Sequence, residues 1–186
     1  MNIDDKNIII LYKKNNTKGF NLLYQNFNKH VYSICYRYTN SKEDSLDLTQ
    51  EIFIKIYKSL NNFDKTKRIK PWINKITVNT CLNHICRTKK KKTESLDENI
   101  INKKIISNES TENKIMFFDT KNIIEEELEK MPELVKMVFI LRHFNKLSYS
   151  EIASSMSLPL GTVKTNIYKA RRILKDTLLK KGIWEV

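Results

Sequence analysis

Apolar residues recur every three to four positions through most of this chain, with polar residues filling the gaps, and that period predicts helices. Gly and Pro number three each, too few for strands joined by tight turns. The expected fold is therefore all-α. "GFNLLYQNFNKHVYSICYRY" (19–38) and "SKEDSLDLTQEIFIKIYKSL" (41–60) each carry the helical period, the second opening on a Ser41-x-x-Asp44 cap. "PWINKITVNTCLNHICR" places Pro71 at a helix entrance and runs to Arg87. Beyond it the period fails. "TKKKKTESLDENIINKKIISNESTEN" holds four successive lysines and only isolated Ile pairs, too little apolar area to offset chain entropy. About 30 unstructured residues inside one compact domain would be unusual, so this stretch reads as a flexible linker between two small helical domains. The expected boundaries are a helix bundle over 1–88, a linker over 89–120 and a smaller four-helix domain over 121–186.

Two segments carry surface patterns that packing alone does not require. In "DLTQEIFIKIYKSL", Leu48, Ile52, Phe53, Ile56 and Leu60 form the inward stripe, while Asp47, Gln50, Glu51 and Ile54 share the opposite side at i, i+3, i+4 and i+7. An exposed Ile among acids and an amide suits protein docking. In "SYSEIASSMSLPLGTVKTNIYKARRILK" (148–175), Ser148 and Glu151 form a Ser-x-x-Glu box. It opens a short helix that turns inward Ile152, Ala153 and Met156. "SLPLG" then turns the chain. In the next helix Val163, Ile167, Ala170 and Leu174 fall within about 60° of one another at 3.6 residues per turn. The other side presents Lys164, Thr165, Tyr168, Lys169, Arg172 and Lys175. A short helix, a tight turn and a basic second helix fit a helix-turn-helix, whose second helix enters a major groove.

Charge agrees with a nucleic-acid partner. The formal net charge is +13 over 186 residues, and Lys or Arg meeting phosphate releases condensed counterions. An Asn, Ile and Lys bias runs through the whole chain, so charge alone does not decide the matter. No apolar run approaches bilayer length, and the first residues lack a signal-peptide pattern, so a cytoplasmic protein without membrane insertion is expected. Cys35, Cys81 and Cys86 lack CxxC spacing, and His30, His84 and His143 are dispersed, so the cysteines read as small buried thiols and no metal site is expected. No phosphate-binding glycine loop and no nucleophile or carboxylate cluster of the kind a recombinase needs is present. No catalytic residue and no cofactor is therefore expected.

Three motifs in order, "DLTQEIFIKIYKSLNNF", "PWINKITVNTCLNHICR" and "LSYSEIASSMSLPLGTVKTNIYKARRILK", resemble the two-domain bacterial sigma factors of the extracytoplasmic-function group. Gly19 and Ser45 stand where that family usually has alanine, and Met131-Pro132-Glu133 replaces Leu-Pro-Glu. The resemblance implies a non-enzymatic subunit that binds RNA polymerase core at its clamp and flap regions and assists promoter melting. Asp47, Gln50, Glu51 and Ile54 would meet the clamp. The loop Asp64 to Lys70, with Lys65, Lys67 and Arg68, together with Asn79, Asn83 and Arg87, would hold the minus-ten element and a base flipped from the non-template single strand. Trp72 is left out, since an indole at a helix start more often packs in a core. Lys164, Thr165, Tyr168 and Lys169 would read the minus-thirty-five duplex, with Arg171 and Arg172 on phosphate. The resemblance further implies an anti-sigma factor as partner. The rival reading is a helix-turn-helix repressor or activator that binds duplex DNA without polymerase; the acidic stripe and the asparagine-bearing helix speak against it.

Overall fold

The computed structural model describes residues 5–64, 66–94 and 112–183. Among these every regular element is helical: α1 (Asp5–Lys14), α2 (Asn16–Thr39), α3 (Lys42–Ser59), α4 (Ile69–Glu94), α5 (Glu112–Lys130), α6 (Glu133–Phe139), α7 (Tyr149–Met156) and α8 (Leu160–Lys180). Side-chain chemistry sets several of the ends. Asn15 caps α2 by accepting the Lys18 amide at 2.9 Å. Asn40 then ends that helix in the left-handed region at φ 53°, a conformation Asn tolerates better than most residues. Ser41 accepts the Asp44 amide and starts α3, as its spacing predicts. At the same corner the Ser45 hydroxyl, fully buried, donates to the Ser41 carbonyl and pairs with Thr39 Oγ1 at 2.9 Å, which accounts for a hydroxyl where alanine was expected.

The ends of the predicted linker are helical. Helix α4 runs past Arg87 to Glu94, and α5 begins at Glu112 instead of near Lys121. Lysine and glutamate are good helix formers even without an apolar period, so a helix already nucleated by the core continues into them. Residues 95–111, the centre of that linker, lie outside the described residues.

Helices α1 to α4 and α6 to α8 share one continuous buried cluster, which includes Leu23, Ile34, Tyr38, Ile52, Ile73, Met137, Ile152 and Ile167. A smaller cluster, Leu128, Met131, Val135, Phe139, Ala170 and Leu174, joins α5, α6 and α8. Where the two halves meet, α7 packs on α4, and the π-helical turn Ile140–Phe144 that follows α6 packs on α2. Polar contacts reinforce that junction. Tyr38 Oη donates to Glu133 Oε2 at 2.9 Å, and the Arg37 guanidinium lies 3.8 Å from the Phe144 ring centre. Lys136, 3% exposed, pairs with Glu129 at 3.0 Å and lies over the Tyr38 ring.

Candidate protein and nucleic-acid interfaces

Helix α3 divides its faces as the pattern predicts. Leu48, Ile52, Phe53, Ile56 and Leu60 are buried. Asp47, Gln50 and Ile54 are exposed, Ile54 at 55%, and Glu51 is half-buried. Glu51 pairs with Lys55 at 2.6 Å, and Lys55 Nζ also donates to Thr80 Oγ1 at 3.1 Å, tying the acidic ridge to α4. Two residues missing from the sequence reading belong here: Leu46 and Tyr57, each 46% exposed. They fall one turn before Gln50 and one turn after Ile54, and large apolar side chains outside the buried stripe were the signal that could have found them. Phe20 supports Tyr57 from behind in an edge contact at 5.0 Å. The result is an acidic ridge with three apolar residues on it, which is how a protein-docking surface is built.

The loop between α3 and α4 exposes Lys67, Arg68 and, at the helix entrance, Lys70. Lys65 lies outside the described residues. Asp64 turns inward on the loop itself: its Oδ1 accepts the Thr66 amide at 2.9 Å and the Thr66 hydroxyl at 2.7 Å. These bonds, with Lys67 nearby, hold its carboxyl below the usual carboxylate range. Asp64 therefore shapes the loop and leaves the cations outward. On α4, Asn79, Asn83 and Arg87 are exposed at four-residue spacing, and Lys75 extends the same stripe by one turn. Lys75 escaped the sequence reading although it sits at i−4 from Asn79. Trp72 packs against Phe63, ring centres 4.7 Å apart, and against the core, in keeping with its omission from the binding residues. Behind the stripe, buried Asn74 meets His30 at 2.7 Å. Burial lowers the His30 pKa, opposed by that bond and aided by Lys70.

The third surface is the helix pair α7 and α8. The Ser148 side chain accepts the Glu151 amide while Glu151 Oε2 accepts the Ser148 amide at 2.8 Å, the reciprocal box the sequence predicts. Those bonds to Ser148 lower the Glu151 pKa, and the more distant charges of Lys70 and Arg68 add to the effect. Ser157, left-handed at φ 54°, closes α7, and Pro159 leads into α8. Val163, Ile167, Ala170 and Leu174 are buried. Lys164, Thr165, Tyr168, Lys169, Arg171 and Arg172 are all exposed, Tyr168 at 67%. Three of them have partial partners. Thr165 Oγ1 donates to the Gly161 carbonyl at 2.9 Å, Arg171 Nε to His143 Nε2 at 3.4 Å, and Arg172 lies 3.9 Å from Asp176. Lys164 and Lys169, flanking Tyr168, have the freest reach. Leu160, 45% exposed at the start of α8, is a further residue the sequence reading missed; an apolar side chain there suits contact with a thymine methyl.

Among the described residues no group of three or more His, Cys, Asp or Glu could hold a metal ion, and no helix is long and apolar enough to cross a membrane.

The whole arrangement has counterparts. Residues 23–91 match the family Sigma-70 region 2, and residues 121–174 match Sigma-70, region 4. The chain is 32% identical over 183 residues to the ECF RNA polymerase sigma-E factor of Escherichia coli (strain K12), covering 94% of each protein. It is 26% identical over 174 residues to the ECF RNA polymerase sigma factor SigW of Bacillus subtilis, covering 89% of this chain and 92% of that one. In fold it is similar to CnrH, solved in complex with the cytosolic domain of CnrY, with a TM-score of 0.66 at 16% identity over 94% of this chain and 96% of that one. It is also similar to the sigma factor RpoE of Bartonella quintana, solved with the anti-sigma factor NepR, with a TM-score of 0.68 at 16% identity over 87% of this chain and 97% of that one.

Proposed function

Because the chain belongs to the extracytoplasmic-function sigma factors of RNA polymerase, we propose that its acidic ridge and its two basic surfaces divide between them the work that defines the family. As a sigma factor it is a non-enzymatic subunit that binds core polymerase, directs it to promoters and assists their melting; the polymerase performs the chemistry. In our reading Asp47, Gln50, Glu51 and Ile54 dock on the clamp, helped by Leu46 and Tyr57. The observation that carries this is an exposed acidic ridge with apolar residues in a chain of net charge +13, a surface that DNA would repel.

Lys67, Arg68, Lys70 and Lys75 then follow the backbone of the minus-ten element, while Asn79 and Asn83, with Arg87 beside them, receive a base extruded from the non-template strand. Unpairing costs about 1.4 kcal/mol per base-pair step, and a good stacking site returns about 1–3 kcal/mol, so capture of one base and several phosphate contacts offset melting of a few steps. Asp64 serves by holding the loop in shape. Lys164, Thr165, Tyr168 and Lys169 read the minus-thirty-five duplex, and Arg171 and Arg172 grip phosphate.

The two halves, 1–88 and 121–186, act as separate domains in this scheme, and the packing of α7 on α4 defines a closed form. Helix α7 packs on both α4 and α8. Two helix contacts of about 8–10 Å bring the axes of α4 and α8 within about 20 Å where both pack on α7, whereas two elements more than one helical turn apart on a duplex need beyond about 35 Å. Promoter engagement therefore requires the halves to separate. The segment between Glu94 and Glu112, at up to about 3.3–3.6 Å per residue, is long enough to permit it. Its fold relatives CnrH and RpoE were each solved with a bound partner, the latter's an anti-sigma factor, and we infer an anti-sigma factor for this chain as well. The chain acts where the polymerase is, in the cytoplasm.

The test is to mix purified protein with core polymerase and a promoter library. Co-elution with core and new transcription start sites are expected; tight specific duplex binding by the chain alone, with no start sites, would instead indicate a repressor or activator.

A further inference from the structure

Between the acidic ridge and the asparagine stripe lies a pair of thiols that neither surface uses. Cys35 of α2 and Cys81 of α4 are both fully buried, with Sγ atoms 3.9 Å apart, and both are free. Thr49 of α3, buried beside Cys35, is the third member of the cluster, its hydroxyl donating to the Ser45 carbonyl at 2.7 Å. The pair therefore sits where α2, α3 and α4 meet. It is also close in sequence to both working surfaces: Cys81 is two residues from Asn79 and from Asn83, and Thr49 adjoins Gln50. The two sulfurs are chemically unequal. The hydrogen bond between them lowers the Cys35 pKa, while that same bond and burial raise the Cys81 pKa. Either sulfur can donate the bond between them, so one thiol can attack while the other holds the proton, and the balance is the same whichever goes first. A metal role fails, since no third ligand is present among the described residues.

We propose that Cys35 and Cys81 form a reversible disulfide under a peroxide, and that this linkage reduces minus-ten engagement by displacing α4 relative to α2. The Cys35 thiolate attacks a peroxide oxygen; an S–O bond forms, the O–O bond breaks, and hydroxide leaves and is protonated to water. Cys81 sulfur then attacks the Cys35 sulfenic acid, forming the S–S bond, breaking the S–O bond and releasing a second water that carries the Cys81 proton. Two thiols are oxidised and one hydrogen peroxide is reduced. A dithiol reverses the change by exchange and is itself oxidised to a disulfide. A disulfide needs sulfurs at about 2.05 Å, so the 3.9 Å contact must close by rotation of the side chains and approach of the helices. Because the interior is close-packed, part of that closure moves the backbone of α4, and Asn79 and Asn83 ride on it. Both sulfurs are buried, so the reaction proceeds through local opening and is slower than that of an exposed thiol.

This coupling rests on the reading of α4 as the minus-ten helix, and the experiment separates the two. The full chain is treated with hydrogen peroxide, blocked with an alkylating agent and mapped by mass spectrometry. The expected product is a Cys35–Cys81 linked peptide with the loss of two hydrogens, formed equally in a Cys86→Ser background. Oxidised chain bound to core polymerase should then open promoters about tenfold less than the reduced chain, a factor within the usual range of coupling between sites. Dithiothreitol should restore it, and Cys81→Ala or Cys81→Ser chain should be insensitive to peroxide. Absence of the linkage, pairing through Cys86 instead, or a linkage that leaves promoter opening unchanged would each overturn the proposal. A reduced chain that opens no promoter would contradict the proposed function, while the peptide map would still decide the disulfide.

Discussion

Replacing Gly19 by alanine should destabilise this protein even though alanine is the better helix former. Inside α2 the exchange alone would favour the fold by about 1 kcal/mol. Gly19, however, lies where α1 crosses closest. A Cβ built there falls inside contact distance of the Tyr12 backbone and 2.6 Å from the Tyr12 Cβ, where ordinary contact begins at 3.4 Å. The obstacle is main chain, which cannot swing aside, so α1 must retreat by about 1 Å or detach. Retreat uncovers Ile8 and Tyr12, 1% and 2% exposed, and overpacking of this kind costs about 1–3 kcal/mol, more where backbone is struck. We expect a net loss of about 1–2 kcal/mol. For a chain of this size that is a fall in melting temperature of about 2–8 °C, read by thermal circular dichroism, with faster amide exchange confined to α1. Tyr12 also touches the Tyr57 ring edge-on at 6.5 Å, so a smaller loss at the docking ridge should accompany it. An unchanged or raised melting temperature would refute the reasoning, because helix propensity would then have outweighed the clash.

Two further outcomes are expected. Arg171→Ala with Arg172→Ala should reduce the salt dependence of duplex binding by about 0.9 per lost phosphate contact, weakening all sequences alike, whereas Tyr168→Ala should leave the slope intact and reduce preference for the cognate minus-thirty-five duplex; the reverse assignment in binding titrations at several salt concentrations would contradict the roles given. Burial lowers the His30 pKa below its ordinary 6.5 in the fold, so the unfolded chain takes up this proton first as pH falls. Its stabilising contribution is fully present above 6.5 and is lost as pH falls through the lowered folded value; His143, also lowered by burial and by Arg171, acts in the same direction. Denaturant midpoints should therefore fall with acidification, less steeply in a His30→Gln chain, and an equal or steeper slope in that variant would contradict it.

Much of this architecture was legible because it depends on local rules. The caps at Ser41 and Ser148 and the buried stripes of α3 and α8 follow from side-chain reach and a period of 3.6 residues. The exposed residues of the acidic ridge on α3 and of the outer face of α8 followed by subtraction. What escaped depends on which element meets which. Periodicity marks Ile152 as buried but does not say that α7 would cover α4, so the core shared between the halves was not foreseen. Gly19 stood out in the sequence only as a departure from the family's usual alanine, when it is the place where another helix passes. The lysines after Arg87 read as linker because a search for apolar period overlooks residues that extend a helix without packing. Leu46, Tyr57 and Lys75 were passed over for the opposite reason. Each lies just beyond the end of a recognised stripe, and their exposure shows only once the helices are packed.

The division between an acidic docking ridge and basic DNA surfaces is tested most directly by reversing charge on the ridge. A chain carrying Asp47→Lys and Glu51→Lys, with its fold checked by circular dichroism, should fail to co-elute with core polymerase while keeping its affinity for minus-thirty-five duplex. Co-elution as strong as that of the unaltered chain would contradict the account.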